Sequence, residues 1–223
     1  MERDNEKPDC LGFDFKPEAV VVGGGDYPTH TIPLDILNSN TKIVCCDGTA
    51  NQWLERNERP WCIVGDGDSL SDEARKTFAD IIHLDPDQET NDQTKAIHYL
   101  EKLGMRHIAI VGATGRREDH TIANISLLME YFDEDLDVRM YTDHGVFIPC
   151  RNTQNFKCAV GTAVSIFSFG AKDMKSEGLA YSLYDLTKWW QGTLNHTTAE
   201  SFTIRCHGEY LVFLNYENKK IRE

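Results

Sequence analysis

Two aspartates one residue apart, Asp66 and Asp68 in Gly65-Asp66-Gly67-Asp68-Ser69, directly follow the apolar run Trp61-Cys62-Ile63-Val64. The glycines let the backbone turn tightly, so both carboxylates can converge on a hard cation such as Mg²⁺. The five residues also read as a polar turn in which Asp66 and Asp68 cap neighbouring N–H groups. In Asp87-Gln88-Glu89-Thr90-Asn91-Asp92-Gln93-Thr94-Lys95, Asp92 and Lys95 are three apart and share a face where a helix begins. A carboxylate there complements the helix dipole, and a purely local ion pair is the other reading. Gly112-Ala113-Thr114-Gly115-Arg116-Arg117-Glu118-Asp119-His120 offers glycines that can approach phosphate oxygens and arginines that can grip them bidentately. It reads too as a strand-to-helix turn with Asp119 as N-cap. His120, opening a helix, is taken as structural. Asp47 and Asn51 form a fourth group, equally a cap and a helix-surface amide.

No Walker pattern is present, and Gly23-Gly24-Gly25 lacks the spacing of a dinucleotide fingerprint. Several aspartates at strand ends, with one arginine-bearing glycine loop, suit metal-assisted transfer of a phosphate group better than hydride or acyl chemistry.

The elements that must carry these residues follow from the apolar pattern. Short continuous runs at 19–22, 42–46, 61–64, 81–84 and 107–111 read as buried strands, and 138–141 as a sixth. Helical periodicity fills several gaps. Over 91–103, Ala96, Ile97, Leu100 and Leu103 share a face and Gly104 supplies the stop. Ile122, Ile125, Met129 and Phe132 form a second stripe, and Ser71 starts a shorter helix running to Phe78. Strands alternating with helices predict a mostly parallel, helix-covered, Rossmann-like sheet, with ligands beyond the carboxyl ends of its strands. Gly23, Asp47, Asp66 and Gly112 would gather at that edge. From Asp143 the texture changes: 145–148, 163–169, 201–206 and 210–214 read as strands without intervening helices. The prediction is an α/β domain over 1–144 followed by an all-β sandwich over 145–223.

Bulk properties exclude some partners. The chain has 223 residues, 40% hydrophobic, with a formal net charge of -13. That balance disfavours nucleic acid or an anionic membrane as the main partner, and an anionic substrate needs a local basic pair or a metal. Seven cysteines form no Cys-x-x-Cys pair, which favours reduced thiols. Cys45, Cys46 and Cys62 lie in strand-like runs as small core residues. The charged start is unlike a secretory signal, and no apolar run approaches the ~20 residues of a membrane span. These observations together predict a soluble cytoplasmic protein.

In sequence order, Asp47-Gly48-Thr49-Ala50-Asn51, Gly65-Asp66-Gly67-Asp68-Ser69, Asp87 through Ala96, and Gly112 through Gly115 followed by Arg117-Glu118-Asp119-His120 resemble the motifs of the thiamine pyrophosphokinases. Departures are Asn91 where the family usually has Thr, and Arg116 where Gly is common. In the β region, Gly178-Leu179-Ala180-Tyr181-Ser182-Leu183 is similar to a family motif whose aromatic residue packs on substrate. Gly192-Thr193-Leu194-Asn195 is similar to its glycine-to-Asn loop, with Leu194 in place of Ser. The resemblance implies transfer of the terminal pyrophosphate of ATP to the hydroxyl of thiamine, releasing AMP. It also implies a homodimer whose thiamine site is shared across the interface. Asp66, Asp68 and Asp92 would hold Mg²⁺, with Asp92 also taking the hydroxyl proton and Asp68, Lys95 and Arg117 completing the catalytic set. Gly24, Asp47, Asn51, Gly115, Arg117 and Asp119 would contact ATP, while Gln88, Tyr181 and Asn195 would orient thiamine. Trp189 and Trp190 line the site, or else pack in the core or at a dimer contact. Another Mg-dependent ATP phosphotransferase, or a non-catalytic nucleotide or cation sensor, would share the acidic loop.

Overall fold

The structure is a computed structural model and describes residues 15–218. Cys10 and the charged leader lie outside the described residues. The chain divides into two compact units, one spanning Pro17–Asp143 and one whose body starts at His144.

The first unit holds six strands: β1 (Ala19–Val22), β2 (Ile43–Cys46), β3 (Cys62–Gly65), β4 (Ile82–Leu84), β5 (His107–Val111) and β6 (Asp137–Tyr141). They pair in the order β6-β5-β1-β2-β3-β4, every pair parallel. All four residues of β1 and of β3 are buried, as are the last four of β5. Such continuous burial is what a parallel sheet covered on both faces requires.

Five helices accompany these strands: α1 (Thr31–Ser39), α2 (Ala50–Glu55), α3 (Asp72–Thr77), α4 (Asp92–Lys102) and α5 (Glu118–Asp133). Caps set three of their starts. The side chains of His30, Ser71 and Asn91 accept from the backbone N–H groups of Ile32, Ala74 and Thr94. Helices α1 and α2 are additional to those read from periodicity. Pro33 sits in the first turn of α1, where its missing N–H breaks no helical bond.

Two apolar faces differ from expectation. Ala96, Ile97 and Leu100 are buried as predicted, but Leu103 is the C-cap of α4 and half exposed. On α5 the buried side chains are Leu128, Met129 and Tyr131, while Ile122 is exposed. The burial of α5 is thus confined to its second half.

The second unit is antiparallel: β7 (Gly145–Arg151), β8 (Gln154–Lys157), β9 (Thr162–Glu177), β10 (Asn195–His196) and β11 (Ser201–Asn218). The segments read separately as 201–206 and 210–214 are one strand. Register shifts between Arg205 and His207 and between Glu209 and Tyr210 interrupt its pattern, with Gly208 at a positive φ of 102°. Strand β11 pairs with β9 along most of its length, with β8 at its first residues and with β7 beyond the bulge. Such bulged long strands let one ribbon serve both layers of a sandwich. Val164, Ile166, Ile204, Tyr210, Val212 and Leu214 form the core. On the other face of β9, Phe167 and Phe169 meet the ring of Trp189 at centroid distances of 6.1 and 5.9 Å.

Candidate active site

In the first unit the strand order reverses between β1 and β5, since the chain winds outward from β1 to β4 and then returns to the other side of β1. The loops that leave these two strands are Gly23–Asp26 and Gly112–Gly115, and they are bonded through their backbones. Gly23 N donates to Val111 O at 2.9 Å, Gly25 N to Gly112 O at 2.7 Å and Asp26 N to Thr114 O at 2.8 Å. A Cβ on Gly25 would lie 2.2 Å from the Thr114 carbonyl oxygen, so only glycine permits this approach. A cleft of about 510 Å³ opens here, lined on one side by Gly23, Gly24, Arg116, His120 and Asn124 and on the other by Asp47, Asp66, Gln88, Asp92 and Lys95. A switch-point crevice is where an open α/β sheet binds ligands.

The acidic side is built from the ends of β2 and β3. Gly65 allows it, because a Cβ there would meet the Asp47 Cβ at 2.6 Å. Asp47, in the left-handed region at φ 35°, is buried. Its Oδ2 accepts from Ser69 N at 2.8 Å, whereas its Oδ1 is buried without a hydrogen-bond partner among the described residues. Burial pushes its carboxyl above the usual range; the Ser69 bond opposes this, and the charges of Asp66 and Asp68 add to it. One oxygen each from Asp47, Asp66 and Asp68 can lie within 4.8 Å of the others. An all-carboxylate set with an orphaned buried oxygen fits a hard divalent cation such as Mg²⁺. A second group able to gather ligand atoms, His98, Glu101 and Glu134, is already engaged by a His98–Glu134 hydrogen bond at 3.3 Å and an ion pair between Glu101 and Arg106.

Several predicted residues that line the cleft also hold this loop. Asn51 Nδ2 donates to Ser69 O and its Oδ1 accepts from Ser71 N, both at 3.0 Å, so this amide clamps the loop after Asp68. Gln88 Nε2 donates to Asp66 Oδ2 at 3.2 Å. That bond and the one from Asp68 N hold the Asp66 carboxyl below its usual range, the backbone bond contributing most. Lys95 is 3% exposed at its side chain, and its Nζ stands 3.4 Å from Asp92 Oδ1 and 3.9 Å from Asp66 Oδ2. Asp92 lies outside the three-carboxylate set. Burial raises its carboxyl, and Lys95 opposes the shift.

Arg117 and Asp119 form an exposed bidentate pair, Nε to Oδ1 at 3.1 Å and Nη2 to Oδ2 at 2.6 Å. The Arg117 guanidinium holds the Asp119 carboxyl down at about 2. Asp119 therefore orients Arg117, and the N-cap position of α5 is Arg117 itself. Arg117 lines a second cavity of about 300 Å³ together with Gly24, Gly25 and Arg116, which pairs with Asp26 at 3.5 Å. His120, read as structural, lines both cavities. Asn124 also lines both, and periodicity gave no reason to single it out.

In the second unit, Asn195 is buried and fastened to the backbone of Tyr181, accepting from its N at 3.1 Å and donating to its O at 2.8 Å. Tyr181 itself is 66% exposed, its ring edge-on to His196 at 6.2 Å. Asn195 thus positions the aromatic residue. Leu194 sits at φ 70°, 74% exposed.

Comparison with known proteins accounts for both units. Residues 34–140 match the family model described as thiamin pyrophosphokinase, catalytic domain, and residues 145–213 match thiamin pyrophosphokinase, substrate-binding domain. The chain belongs to the thiamin pyrophosphokinase family. A curated relative, thiamin pyrophosphokinase 1 of Caenorhabditis elegans, is 31% identical over 113 residues, covering 47% of this chain and 46% of that protein. The matched stretch is thus about half of the relative's length. Among solved structures, thiamine pyrophosphokinase from Bacillus subtilis aligns with TM-score 0.72 at 17% identity, over 88% of this chain and 97% of that one. Thiamin pyrophosphokinase from Candida albicans aligns with TM-score 0.73 at 17% identity, over 90% of each chain. At such identities these structures establish the fold, an α/β sheet joined to an antiparallel β part, for this family member too. Among its described residues no helix is long and apolar enough to cross a membrane.

Proposed function

We propose that this chain is a thiamine pyrophosphokinase, moving the terminal pyrophosphate of ATP to the hydroxyl of thiamine and releasing AMP. The observation that carries the reading is the cleft at the β1/β5 switch point, where an acidic side with an orphaned carboxylate oxygen faces an arginine-bearing glycine loop. The first unit serves as catalytic, ATP-binding domain and the second as thiamine-binding domain.

Asp66 and Asp68 would hold Mg²⁺, with Asp92 and the inward oxygen of Asp47 completing the ligands. Bound there, the cation would withdraw charge from the phosphates as the bond to AMP breaks. The residues of the chain do the rest. Lys95, buried between Asp66 and Asp92, presents a fixed positive charge where phosphate charge develops. Asp119 holds the Arg117 fork ready for phosphate oxygens. The amides of Gly24 and Gly115 lie in loops that allow close approach of the nucleotide, and Asn51 and Gln88 fix the acidic loop. Asp92, half-buried at the start of α4, stands where it can accept the thiamine hydroxyl proton. Tyr181, steadied by Asn195, offers its face to the cationic ring of thiamine. We further propose a homodimer working in the cytoplasm, a reducing compartment that suits the buried thiols of Cys45, Cys46, Cys62 and Cys206.

Incubation with ATP, Mg²⁺ and thiamine, followed by identification of the nucleotide, tests the reading. AMP with thiamine diphosphate is the expected product pair. ADP would reassign the chain to phosphoryl transfer, and absence of turnover despite Mg-ATP binding would make it a sensor.

A further inference from the structure

Asn124 supplies no group that the proposed reaction uses, yet its side-chain amide spans two elements of the cleft. Its Nδ2 donates to the Ala113 carbonyl in the glycine loop at 2.9 Å, and its Oδ1 accepts from Asn91 Nδ2 at 3.0 Å. Asn91 is the N-cap of α4, where its own Oδ1 accepts from Thr94 N at 2.9 Å. The backbone carbonyl of Asn124 adds a further tie by accepting from Gln93 Nε2 at 3.2 Å. Behind them, buried Tyr131 shares hydrogen bonds with Gln93 at 3.3 Å and Thr94 at 2.8 Å. One residue of α5 therefore fastens the glycine loop to the first turn of α4, the turn that carries Asp92 and Lys95.

We propose that Asn124 is a positioning residue that sets the spacing between the Asp92–Lys95 turn and the phosphate-facing glycine loop, an assignment that rests on the transfer reading given above. The amide at position 91 makes this brace possible, since it supplies an acceptor for the helix cap and a donor for Asn124 at once. A threonine in that place keeps the cap but ends its donor one bond nearer the backbone, short of the Asn124 oxygen. Because the amide of Asn124 is engaged by the protein at both ends, it acts through Asp92 and Lys95. Misplacing catalytic groups by a fraction of an ångström lowers the rate of the chemical step more than the affinity for substrate.

The test compares Asn124→Ala, Asn124→Asp, Asn91→Thr and the double variant Asn91→Thr/Asn124→Ala in the full chain. Asn124→Ala should lower kcat by about 30-fold while KM for ATP stays within about threefold. Asn124→Asp retains the acceptor for Asn91 but turns an oxygen toward the Ala113 carbonyl, and it should lose activity as well. Asn91→Thr should lose less, and the double variant should lose no more than Asn124→Ala alone, since both break one link. Multiplying losses in the double variant, or an unchanged kcat in Asn124→Ala, would overturn the assignment. Amide hydrogen exchange reads the brace without turnover. In Asn124→Ala the amides of Thr94 and Lys95 and of Ala113 to Gly115 should exchange faster together, with those of β1 and β2 unchanged. If the unaltered chain makes no AMP, the transfer reading fails and exchange still judges the brace; unchanged exchange overturns it.

Discussion

At Asp47 the fold gives up stability for the site. A non-glycine residue at φ 35° is uncommon, and a buried carboxylate oxygen without a partner costs on the order of 1–3 kcal/mol. Asn tolerates the left-handed region and removes the buried charge. Asp47→Asn should therefore stabilise the ligand-free protein by about 1 kcal/mol while reducing the stabilisation by Mg-ATP and cutting turnover at least about tenfold. Calorimetry with and without Mg-ATP, beside an AMP assay, checks both halves; a destabilised variant would show that an unpartnered amide N–H at the Oδ1 position costs more than the buried charge. Arg117 presents the opposite case, being exposed and paired with Asp119. Arg117→Lys keeps the charge and loses the fork, so kcat/KM should drop by about 100-fold with unfolding temperature unmoved. The low Asp119 value means the pair stays ionised across the whole neutral range, and the variant's loss should not depend on pH between 6 and 9.

At the scale of elements, the two glycine loops behave as one body, and neighbouring glycines within them should respond differently. Gly25→Ala places a Cβ against the Thr114 carbonyl and should cost about 2–3 kcal/mol together with activity. Gly24→Ala meets nothing within 4 Å and should leave stability within about 0.5 kcal/mol, so chemical unfolding of the pair separates close approach from general glycine content. The strands that carry these loops were legible because a parallel sheet buries both faces, which writes Ala19–Val22 and the last four residues of β5, Ile108 to Val111, as unbroken apolar runs. The acidic loop and the Asp92–Lys95 pair were legible from spacing. Less was legible where side chains act on each other over long separations. Nothing in sequence spacing ties Asn124 to Asn91 or Asn195 to Tyr181, nor Asn51, read as an ATP contact and lining the cleft, to the Ser69 and Ser71 backbone that it clamps. Helix α1 was hidden by Pro33, and β11 by the bulge around Gly208 that breaks its alternation. Polar Gln93, Thr94 and Lys95 are buried because the first turn of α4 faces the cleft, where burial follows function rather than hydropathy.

For the molecule as a whole, a formal net charge of -13 means that mild acidification first relieves self-repulsion, so acid unfolding must be driven by carboxylates whose ionised form the fold prefers. Glu18 is one of them. Its Oε2 accepts from Arg106 N at 2.7 Å and His107 N at 3.0 Å, joining the entry of β1 to the entry of β5. The Arg106 bond is the larger cause and the His107 bond the next, and together they hold the carboxyl below its usual range against the effect of burial. A carboxyl lowered by folding contributes stability that is present above its unfolded pKa of about 4.3 and disappears as pH falls through the folded value. Glu18→Gln should thus lower stability at pH 7 by on the order of 0.5 kcal/mol, a small figure because the side chain is largely solvated, and by nothing at pH 2. Urea midpoints of the two proteins at pH 7, 4 and 2 should converge on acidification, whereas a constant gap would mean that shape rather than charge explains the loss. Glu18 binds the amino end of the β1–β5 pair while the glycine loops leave its carboxyl end. Turnover of Glu18→Gln at neutral pH and saturating substrate should therefore match the unaltered chain, separating the end of the sheet that sustains the fold from the end that works.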